Sequence, residues 1–317
     1  MAGNSNFDEI LSTTLNNYVP KLVDNIFSAR PLFYALTNGQ TMRTVSGGAK
    51  IVVPIIYGAN DTAASYSGTD AIATTAQTGI SAAEYNWGQY AATVTINGLE
   101  EAKNNGEAQI IDLLEGKIFQ TQESIIENMN TMFHADGSGN GGKDWNGIAL
   151  IVNDNVSSLN TLGGIDPTDS GNDFWVSTAT TTTGSLTLAK LATRYNAVSV
   201  GNDQPTIIIS KADDYENYEA LLTSNIRYTD TDMADAGFQN LMYKGAPWTF
   251  DGSNADGVIY MLNTKYIQLV RHSDVWFKPT PFVRPTNQDA VFSQILCYGQ
   301  LTCSNRARSG YLEGVTA

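Results

Sequence analysis

Apolar residues recur with a helical period between Glu107 and Phe133. They follow one another at steps of three, four and seven positions: Ile111, Leu114, Ile118, Ile125, Met129 and Met132. Residues at these steps share one face of an α-helix, so the pattern predicts an amphipathic helix about 40 Å long. We call this segment the spine helix.

A shorter helix is predicted immediately before the spine helix. Asn97 is a favourable N-cap residue, and Glu100 stands three residues further on, which is the spacing of a capping box. The helix is expected to run to Asn104 and to stop at Asn105-Gly106, because glycine favours helix termination.

Two strand-like segments flank a stretch of small residues. AKIVVPIIYG, residues 49–58, contains Pro54, which predicts an edge strand or a bulge. EYNWGQYAATVTI, residues 84–96, has aromatic and β-branched residues typical of a strand. Residues 59–83 are mostly Ala, Thr, Ser and Gly. We predict a long β-hairpin that projects from the body and makes its contacts outside that body. The alternative is a disordered surface loop.

The N-terminal region and the second half of the chain have less regular patterns. Residues 7–37 carry apolar residues at irregular helical spacing and are interrupted by Pro20 and Pro31, so short helical pieces on an arm are expected. Beyond Ile148, short elements alternate and predict a compact α/β region. The predicted helices are residues 185–200 and 211–224. The predicted strands are residues 145–152, 205–210, 254–263 and 265–273, and a long strand from Ala290 to about Cys303. The threonine run at 177–185 predicts a loop.

The composition is that of an acidic chain with enough apolar residues for a core. At 317 residues, 42% of them hydrophobic, the chain predicts two compact regions or one elongated domain. Its 32 acidic and 18 basic residues give a net charge of −14. Direct nucleic-acid binding is therefore disfavoured, and Arg306 and Arg308 form the only close basic pair. No apolar run approaches the about 20 residues of a membrane helix. The N-terminal MAGNSNFDEI has no features of a secretory signal.

The segment HADGSGNGGKDW contains the phosphate-loop pattern G-x-x-x-x-G-K at residues 137–143. Asp144 stands where that loop needs Ser or Thr for magnesium. The segment also imitates the start of a calcium loop, but Gly147 stands where the bidentate Glu belongs. A phosphate loop lies between a strand and a helix, whereas this segment follows the spine helix and precedes a predicted strand. We therefore predict a turn with left-handed glycines and no nucleotide function.

The cysteines and histidines predict no metal or catalytic site. Cys297 and Cys303 are six residues apart on a predicted strand, which separates them by about 20 Å and excludes a disulfide. Free thiols in a reducing compartment are therefore expected. His134 and His272 are the only histidines, and neither has a nucleophile elbow beside it.

One acidic helix is interpreted as structural. Asp213 and Asp214, with Glu216 and Glu219, are expected to form a solvated helix face. Tyr215 and Tyr218 on the same helix are interpreted as packing residues.

The order of parts (arm, hairpin, spine helix, α/β region and returning strand) resembles that of the major capsid proteins of tailed bacteriophages. Three stretches look like a siphophage-type subgroup: LSTTLNNYVPKLVDNIFSARPL, YAATVTINGLEEAKNNGEAQIIDLLEGKI and WFKPTPFVRPTNQDA followed by YGQLTCSNR. The resemblance covers most of the chain and is weakest at about 150–250. It implies an α+β, Hong Kong 97-like fold, with no catalysis and no cofactor.

The resemblance also implies a domain organisation. It would comprise an N-terminal arm (1–48), an extended loop with flanking strands, called the E-loop (49–96), a peripheral domain (97–146 and 264–317) and an axial domain (147–263). The axial domain would cluster at the five- and six-fold centres of the shell.

The implied function is that of a shell subunit. The chain would assemble with itself into pentamers and hexamers of an icosahedral head that encloses double-stranded DNA without binding it specifically. Further partners would be scaffolding and decoration proteins and a portal protein at one vertex, with no membrane. Assembly would take place in the host bacterial cytoplasm, and the mature location would be the virion.

The E-loop is expected to supply contacts between subunits through Tyr66, Tyr85, Trp87 and Tyr90. Part of the family joins subunits by isopeptide bonds from an E-loop lysine, but residues 51–102 contain no lysine. A non-covalent shell is therefore expected. The arm motif begins almost at Met1, so no large N-terminal scaffold domain is expected to be removed.

Two alternatives remain open at this point. An encapsulin-type compartment would share the fold but enclose protein cargo. A soluble acidic hydrolase or binding domain would belong to a different functional class.

Overall fold

A computed structural model shows the fold of most of the chain. The described residues are 30–37, 41–103, 107–153, 160–222 and 241–316. The arm helices predicted before residue 30, and the helix stop at Asn105-Gly106, lie outside the described residues. The end of the arm is a short helix, α1 (Pro31–Thr37). Its Phe33 is buried and makes an edge-to-face contact with Phe133 of the spine helix, with ring centroids 4.8 Å apart.

The spine helix and the helix before it form where the sequence predicts them. They are α2 (Gly98–Lys103) and α3 (Glu107–His134). The Asn97 side chain accepts a hydrogen bond from the Leu99 N–H, and its own N–H donates to Glu100 Oε2, so the predicted capping box is confirmed. From Leu114 onward the predicted apolar stripe is buried. No helix within the described ranges is both long and apolar enough to span a membrane.

A five-stranded sheet packs with the spine helix. Its strands are β1 (Met42–Val45), β4 (Gly88–Asn97), β10 (Ile267–His272), β11 (Lys278–Pro279) and β12 (Ala290–Cys303). The long strand predicted at the C-terminal end is confirmed as β12, which pairs antiparallel with β4, β10 and β11. Strand β12 therefore organises the sheet.

A tryptophan fills a slot made by two glycines of this sheet. Gly88 and Gly299 are cross-strand partners on β4 and β12. A Cβ atom at either position would overlap the indole ring of Trp145, which is fully buried. Since only glycine leaves this space, the pair determines where the segment after the spine helix packs.

A six-stranded sheet forms the second layer. Its strands in spatial order are β5 (Thr178–Ser185), β13 (Gly310–Thr316), β9 (Val258–Leu262), β6 (Ile207–Ser210), β8 (Ala246–Phe250) and β7 (Leu241–Tyr243). Two helices, α5 (Leu188–Val198) and α6 (Ala212–Leu221), pack on it. On α6, Tyr218 stacks on Trp248 at 4.2 Å and Tyr215 is buried, so the predicted packing role of both tyrosines is confirmed.

Two local predictions are wrong. Residues 145–152 do not form a strand: Ile148–Ile151 is a helical turn, α4, whose Ile148 and Ile151 are buried one turn apart. A short apolar run has no period that separates a buried helix from a buried strand. The threonine run forms strand β5 instead of a loop, because β-branched residues favour extended backbone and β13 supplies a parallel partner. The last strand, β13, belongs to the six-stranded sheet, where it also pairs antiparallel with β9.

Arg306 is a buried structural residue beside α4. Its guanidinium donates hydrogen bonds of 2.8–3.2 Å to the backbone carbonyls of Leu150, Ile151, Asn153 and Asn160. Burial lowers the pKa of this guanidinium from its usual value. Arg306 thus satisfies the carbonyl groups that the end of a helix leaves without partners.

The acidic face of α6 is only partly solvated. Asp213 and Glu216 are exposed as predicted, but Asp214 is 3% exposed. Burial, with a smaller contribution from neighbouring Asp213, raises the pKa of the Asp214 carboxyl to about 6. The Gly257 N–H donates to this carboxyl. The charge run on this helix therefore includes one carboxyl whose ionisation is unfavourable.

Replacement of Asp214 by asparagine is expected to stabilise the protein by about 2 kcal/mol at pH 8. The folded-state pKa of about 6 lies above that of an unfolded chain. The folded protein therefore holds the proton more tightly, and wild-type stability falls as pH rises through this interval. The gain should shrink at pH 4, and urea unfolding at both pH values measures it. Asp213→Asn, at an exposed position, is the matched control. A less stable Asp214→Asn protein at pH 8 would contradict the expectation.

Candidate assembly surface

A two-stranded hairpin forms a third sheet. Strand β2 (Ile51–Ile56) pairs antiparallel with β3 (Ile80–Tyr85), and residues 57–79 connect them. The projecting hairpin is therefore present, but its return strand ends at Tyr85. The predicted strand 84–96 is divided, because its later part is β4 of the five-stranded sheet. Pro54 lies in β2, whose only pairing among the described strands is with β3, as an edge strand requires.

The two faces of the hairpin have different surroundings. Side chains alternate between the faces of a strand, so Ile51, Val53 and Ile55 are buried against the body of the same chain. The opposite face exposes apolar side chains: Val52 at 50%, Ile56 at 80% and Ile80 at 77%. Ile56 and Ile80 are direct cross-strand partners. One face of the hairpin therefore contributes to the core, while the other is an apolar surface in solvent.

The apolar exposure is concentrated in the hairpin. Of the twelve large hydrophobic residues exposed within the described ranges, six lie between positions 52 and 80: Val52, Ile56, Tyr57, Tyr66, Ile72 and Ile80. Single exposed apolar residues are ordinary on a protein surface, whereas a cluster of this size marks an interaction site. We call Val52, Ile56 and Ile80 the outer hairpin face.

The base of the hairpin is held by its own chain. The buried hydroxyl of Tyr85 donates to the Cys303 carbonyl at 2.7 Å and accepts from the Cys303 N–H at 3.1 Å. Burial raises the pKa of Tyr85 above its usual value. The Trp87 indole N–H donates to the Gly48 carbonyl at 2.9 Å. The hairpin is therefore anchored at its base, where β3 ends and β4 begins.

A loop of the body supports the hairpin along one side. The Glu84 N–H donates to the Gly163 carbonyl at 2.8 Å, and Tyr57 stacks on Phe174 with ring centroids 4.7 Å apart. Lys50 and Glu84 form an exposed ion pair at 2.7 Å, which contributes little because water screens it. These contacts set the direction in which the hairpin projects.

The four tyrosine and tryptophan residues expected at subunit contacts have different positions. Tyr66 is 67% exposed in the connecting segment. Tyr85 is 2% exposed and fully engaged within its own chain, so the expected contact with a neighbour is wrong for this residue. Trp87 and Tyr90 are partly buried against the core of their own subunit. Sequence reasoning missed the outer hairpin face. The signal was available, since IVVPII is apolar on both faces and such a strand needs both covered.

The predicted glycine turn is confirmed. Gly137, Asn140, Gly141 and Gly142 have positive φ angles, so the segment Gly139–Gly142 after the spine helix is a turn with left-handed residues. The turn borders a cleft of about 530 Å³ at the hairpin base, whose lining includes Glu84, Asn86, Gln89, Asn140 and Lys143.

Several titratable groups are buried in the described part of the chain. Cys297 and Cys303 are free thiols, as predicted, and both are buried; burial raises the pKa of Cys303 to about 12. His134 lies 3.9 Å from Asp251, and burial lowers the pKa of its imidazole. Asn130 of the spine helix donates to Asp251 at 2.8 Å. Asn130 and His134 thus connect the spine helix to Asp251 in the loop after β8. Over the described part of the chain, no three His, Cys, Asp or Glu side chains are grouped to hold a metal ion.

Comparison with known proteins identifies the architecture. No protein-family model and no curated protein sequence matches the chain. Among solved structures, the cyanophage A-1(L) capsid asymmetric unit matches with a TM-score of 0.67 and 16% identity, over 90% of this chain and 93% of its own. The chain has the Hong Kong 97-like fold. The capsid of the native GTA particle matches with a TM-score of 0.59 and 12% identity, over 89% and 90% of the two chains.

An encapsulin shares the same fold. The holo-SrpI encapsulin complex from Synechococcus elongatus matches with a TM-score of 0.54 and 10% identity, covering 87% of this chain and 86% of its own. The comparisons, at sequence identities of 10–16%, establish the α+β architecture. The surface of this chain provides the evidence on its function.

Proposed function

We propose that this chain is the major capsid protein of a tailed bacteriophage and assembles with itself into a closed icosahedral shell. The observation that carries the proposal is the outer hairpin face, an exposed apolar surface on a projecting element of a fold that shell-forming proteins share. Its partner would be another copy of the chain. A hairpin that contacts a different patch on the next copy makes a head-to-tail interface, which closes into rings such as pentamers and hexamers.

The domain assignment follows the two large sheets. We assign the spine helix and the five-stranded sheet to the peripheral domain, and the six-stranded sheet with α5 and α6 to the axial domain. Residues 49–85 would be the E-loop, and the first 48 residues the arm. A portal protein at one vertex, scaffolding and decoration proteins, and assembly in a bacterial cytoplasm belong to the same proposal.

The charge of the chain suits a container for DNA. A net charge of −14 gives little attraction to phosphate groups, so packaged DNA would remain mobile against the shell. An encapsulin-type compartment is the second candidate, favoured by the structural match to that class.

Electron microscopy of the expressed full-length chain tests the proposal. Closed icosahedral shells are the expected result, and a protein that stays monomeric at concentrations well above micromolar would overturn it. Particles purified from an infected culture then separate the two candidates. Double-stranded DNA inside the particle supports a phage capsid, whereas co-purified protein cargo without DNA supports a compartment.

The shell is expected to be held together without covalent bonds. An isopeptide bond needs a lysine amine, and residues 51–102 contain none. The two thiols are buried, so they cannot reach a neighbour. Shells boiled with reductant should therefore give a single band near 34.2 kDa on a denaturing gel. A ladder of multimers that survives this treatment would contradict the expectation.

A further inference from the structure

Three Asn-Gly pairs lie within the residues that the structure describes, at 97–98, 140–141 and 146–147. In such a pair the glycine backbone nitrogen can attack the asparagine side-chain carbonyl carbon. Ammonia leaves, a succinimide ring forms, and water then opens the ring to aspartate or isoaspartate. Glycine favours the reaction because no Cβ shields its nitrogen or restricts rotation of the backbone. Whether each pair reacts depends on how firmly the fold holds it.

The pair at 97–98 is held by the capping box. The Asn97 side-chain oxygen accepts from the Leu99 N–H at 3.0 Å. The attacking nitrogen, that of Gly98, already donates to the Asp289 carbonyl at 2.9 Å. The carboxylate of Asp289 also fills the space beside the Gly98 Cα. Ring closure would have to break both hydrogen bonds.

The pair at 146–147 is held by packing. The Asn146 N–H donates to Gln300 Oε1 at 2.8 Å, and its side-chain amide donates to the Leu301 carbonyl at 3.4 Å. The Cα of Gly147 packs against the backbone carbonyl of Ala135, where not even a Cβ would fit. The backbone rotation that brings nitrogen and side chain together is therefore blocked.

The pair at 140–141 has none of these restraints. Asn140 is exposed, and its side chain makes no hydrogen bond to any other described residue. The backbone hydrogen bonds of this turn come from the N–H groups of Gly142, Lys143 and Asp144, and none comes from the Gly141 nitrogen within the described chain. No atom lies within 4 Å of a Cβ built on Gly141 or Gly142. Asn140 is also in the left-handed region, at φ 50°, which is unfavourable for a residue with a Cβ atom.

We propose that Asn140 is a site of spontaneous deamidation in the folded protein, and that Asn97 and Asn146 are protected by the fold. The product places a new carboxylate at the rim of the cleft beside the hairpin base, near Lys143. The isoaspartate form also lengthens the backbone of the turn by one methylene group. The subunit would thus acquire one negative charge with age at a defined point on its surface. This inference is independent of the proposed shell function, because the reaction needs only residues of one subunit.

Mass spectrometry of aged protein tests the proposal. The full-length chain is incubated in native buffer at pH 8 and 37 °C for several weeks and then digested with trypsin. The three asparagines fall in three separate peptides, residues 51–103, 118–143 and 144–190. Fragmentation localises the mass gain, and isoaspartate methyltransferase labels the isoaspartate product. We expect deamidation at Asn140 at least about tenfold faster than at Asn97 and Asn146, since those two must first open locally.

Two controls make the result decisive. The same incubation in concentrated urea should bring the three rates close together, which would show that the difference comes from the fold. Gly141→Ala should slow the reaction at Asn140 without changing the other two sites. An unchanged Asn140 after native incubation, or a rate at Asn146 equal to that at Asn140, would overturn the proposal.

Discussion

Replacement of Arg306 by methionine is expected to prevent the chain from reaching its native fold. Methionine approximates the length and apolar character of the arginine stem but removes every donor of the guanidinium. Four backbone carbonyls, those of Leu150, Ile151, Asn153 and Asn160, would lose their buried partner. Asn160 leads into the loop that contacts the hairpin through Gly163 and Phe174. The damage would therefore extend from the core to the assembly surface.

The expected loss is large compared with the stability of the whole protein. A hydrogen bond from a charged donor contributes about 1.5–3 kcal/mol, and a buried acceptor left without a partner carries its full desolvation cost. Loss of four such bonds costs more than about 4 kcal/mol, against a typical total of about 5–15 kcal/mol. Arg306→Met should accumulate as insoluble protein. Arg306→Lys, with one ammonium group in place of the planar fork, should lower the urea midpoint strongly.

Arg308 supplies the matched control. It lies two residues away, is only half-buried, and does not donate to these four carbonyls. Arg308→Met should give soluble protein whose urea midpoint is close to that of the wild type. If Arg306→Met unfolds at the wild-type midpoint, the guanidinium bonds do not have the structural role assigned to them.

The two arginines also show what the sequence can and cannot predict. In the sequence R-A-R the two arginines look alike, as a basic pair on the surface. Arg306 is nevertheless 0% exposed, because the chain bends at Asn305. The Asn305 side chain accepts a hydrogen bond from the Ala307 N–H at this bend. Nothing in the local pattern distinguishes the two. Asp214 is similar, since it is buried by residues distant in sequence while Asp213 beside it is exposed.

The elements governed by local signals were predictable. The spine helix follows from its apolar stripe and the capping box from the spacing of Asn97 and Glu100, and both depend only on residues within the same helix or next to it. The β12 strand was predictable for the same reason. The pairing of β12 with β4 and β10 was not, because it joins segments up to about 200 residues apart and no local period encodes it.

The hairpin was predictable as an element but not as a surface. Aromatic residues suggested the contact positions, and one of them, Tyr85, is instead the anchor of the hairpin. The exposed positions are aliphatic, and which face of IVVPII lies outward depends on the strand register against the body. A slip of one residue would exchange the two faces. The outer hairpin face therefore became visible only with the fold.

Loss of the outer hairpin face is expected to abolish shell assembly while leaving the subunit folded. The double variant Ile56→Glu and Ile80→Lys replaces two cross-strand partners that are 80% and 77% exposed. Opposite charges at paired positions preserve the hairpin. Burying an isoleucine contributes about 2 kcal/mol, so each hairpin would lose about 4 kcal/mol of contact energy. That loss weakens each subunit contact roughly a thousandfold, which a shell assembled at micromolar concentration cannot tolerate.

Sedimentation and electron microscopy of the purified variant measure this effect, with circular dichroism to confirm the fold. The matched control, Ile56→Val and Ile80→Val, keeps both positions apolar and β-branched and should assemble like the wild type. Because both isoleucines are mostly in solvent in the isolated subunit, their replacement removes little packing within the chain beyond their contact with each other. A folded double-charge variant that still forms closed shells would show that the hairpin contacts its neighbour through another surface. The apolar pair would then need a different explanation.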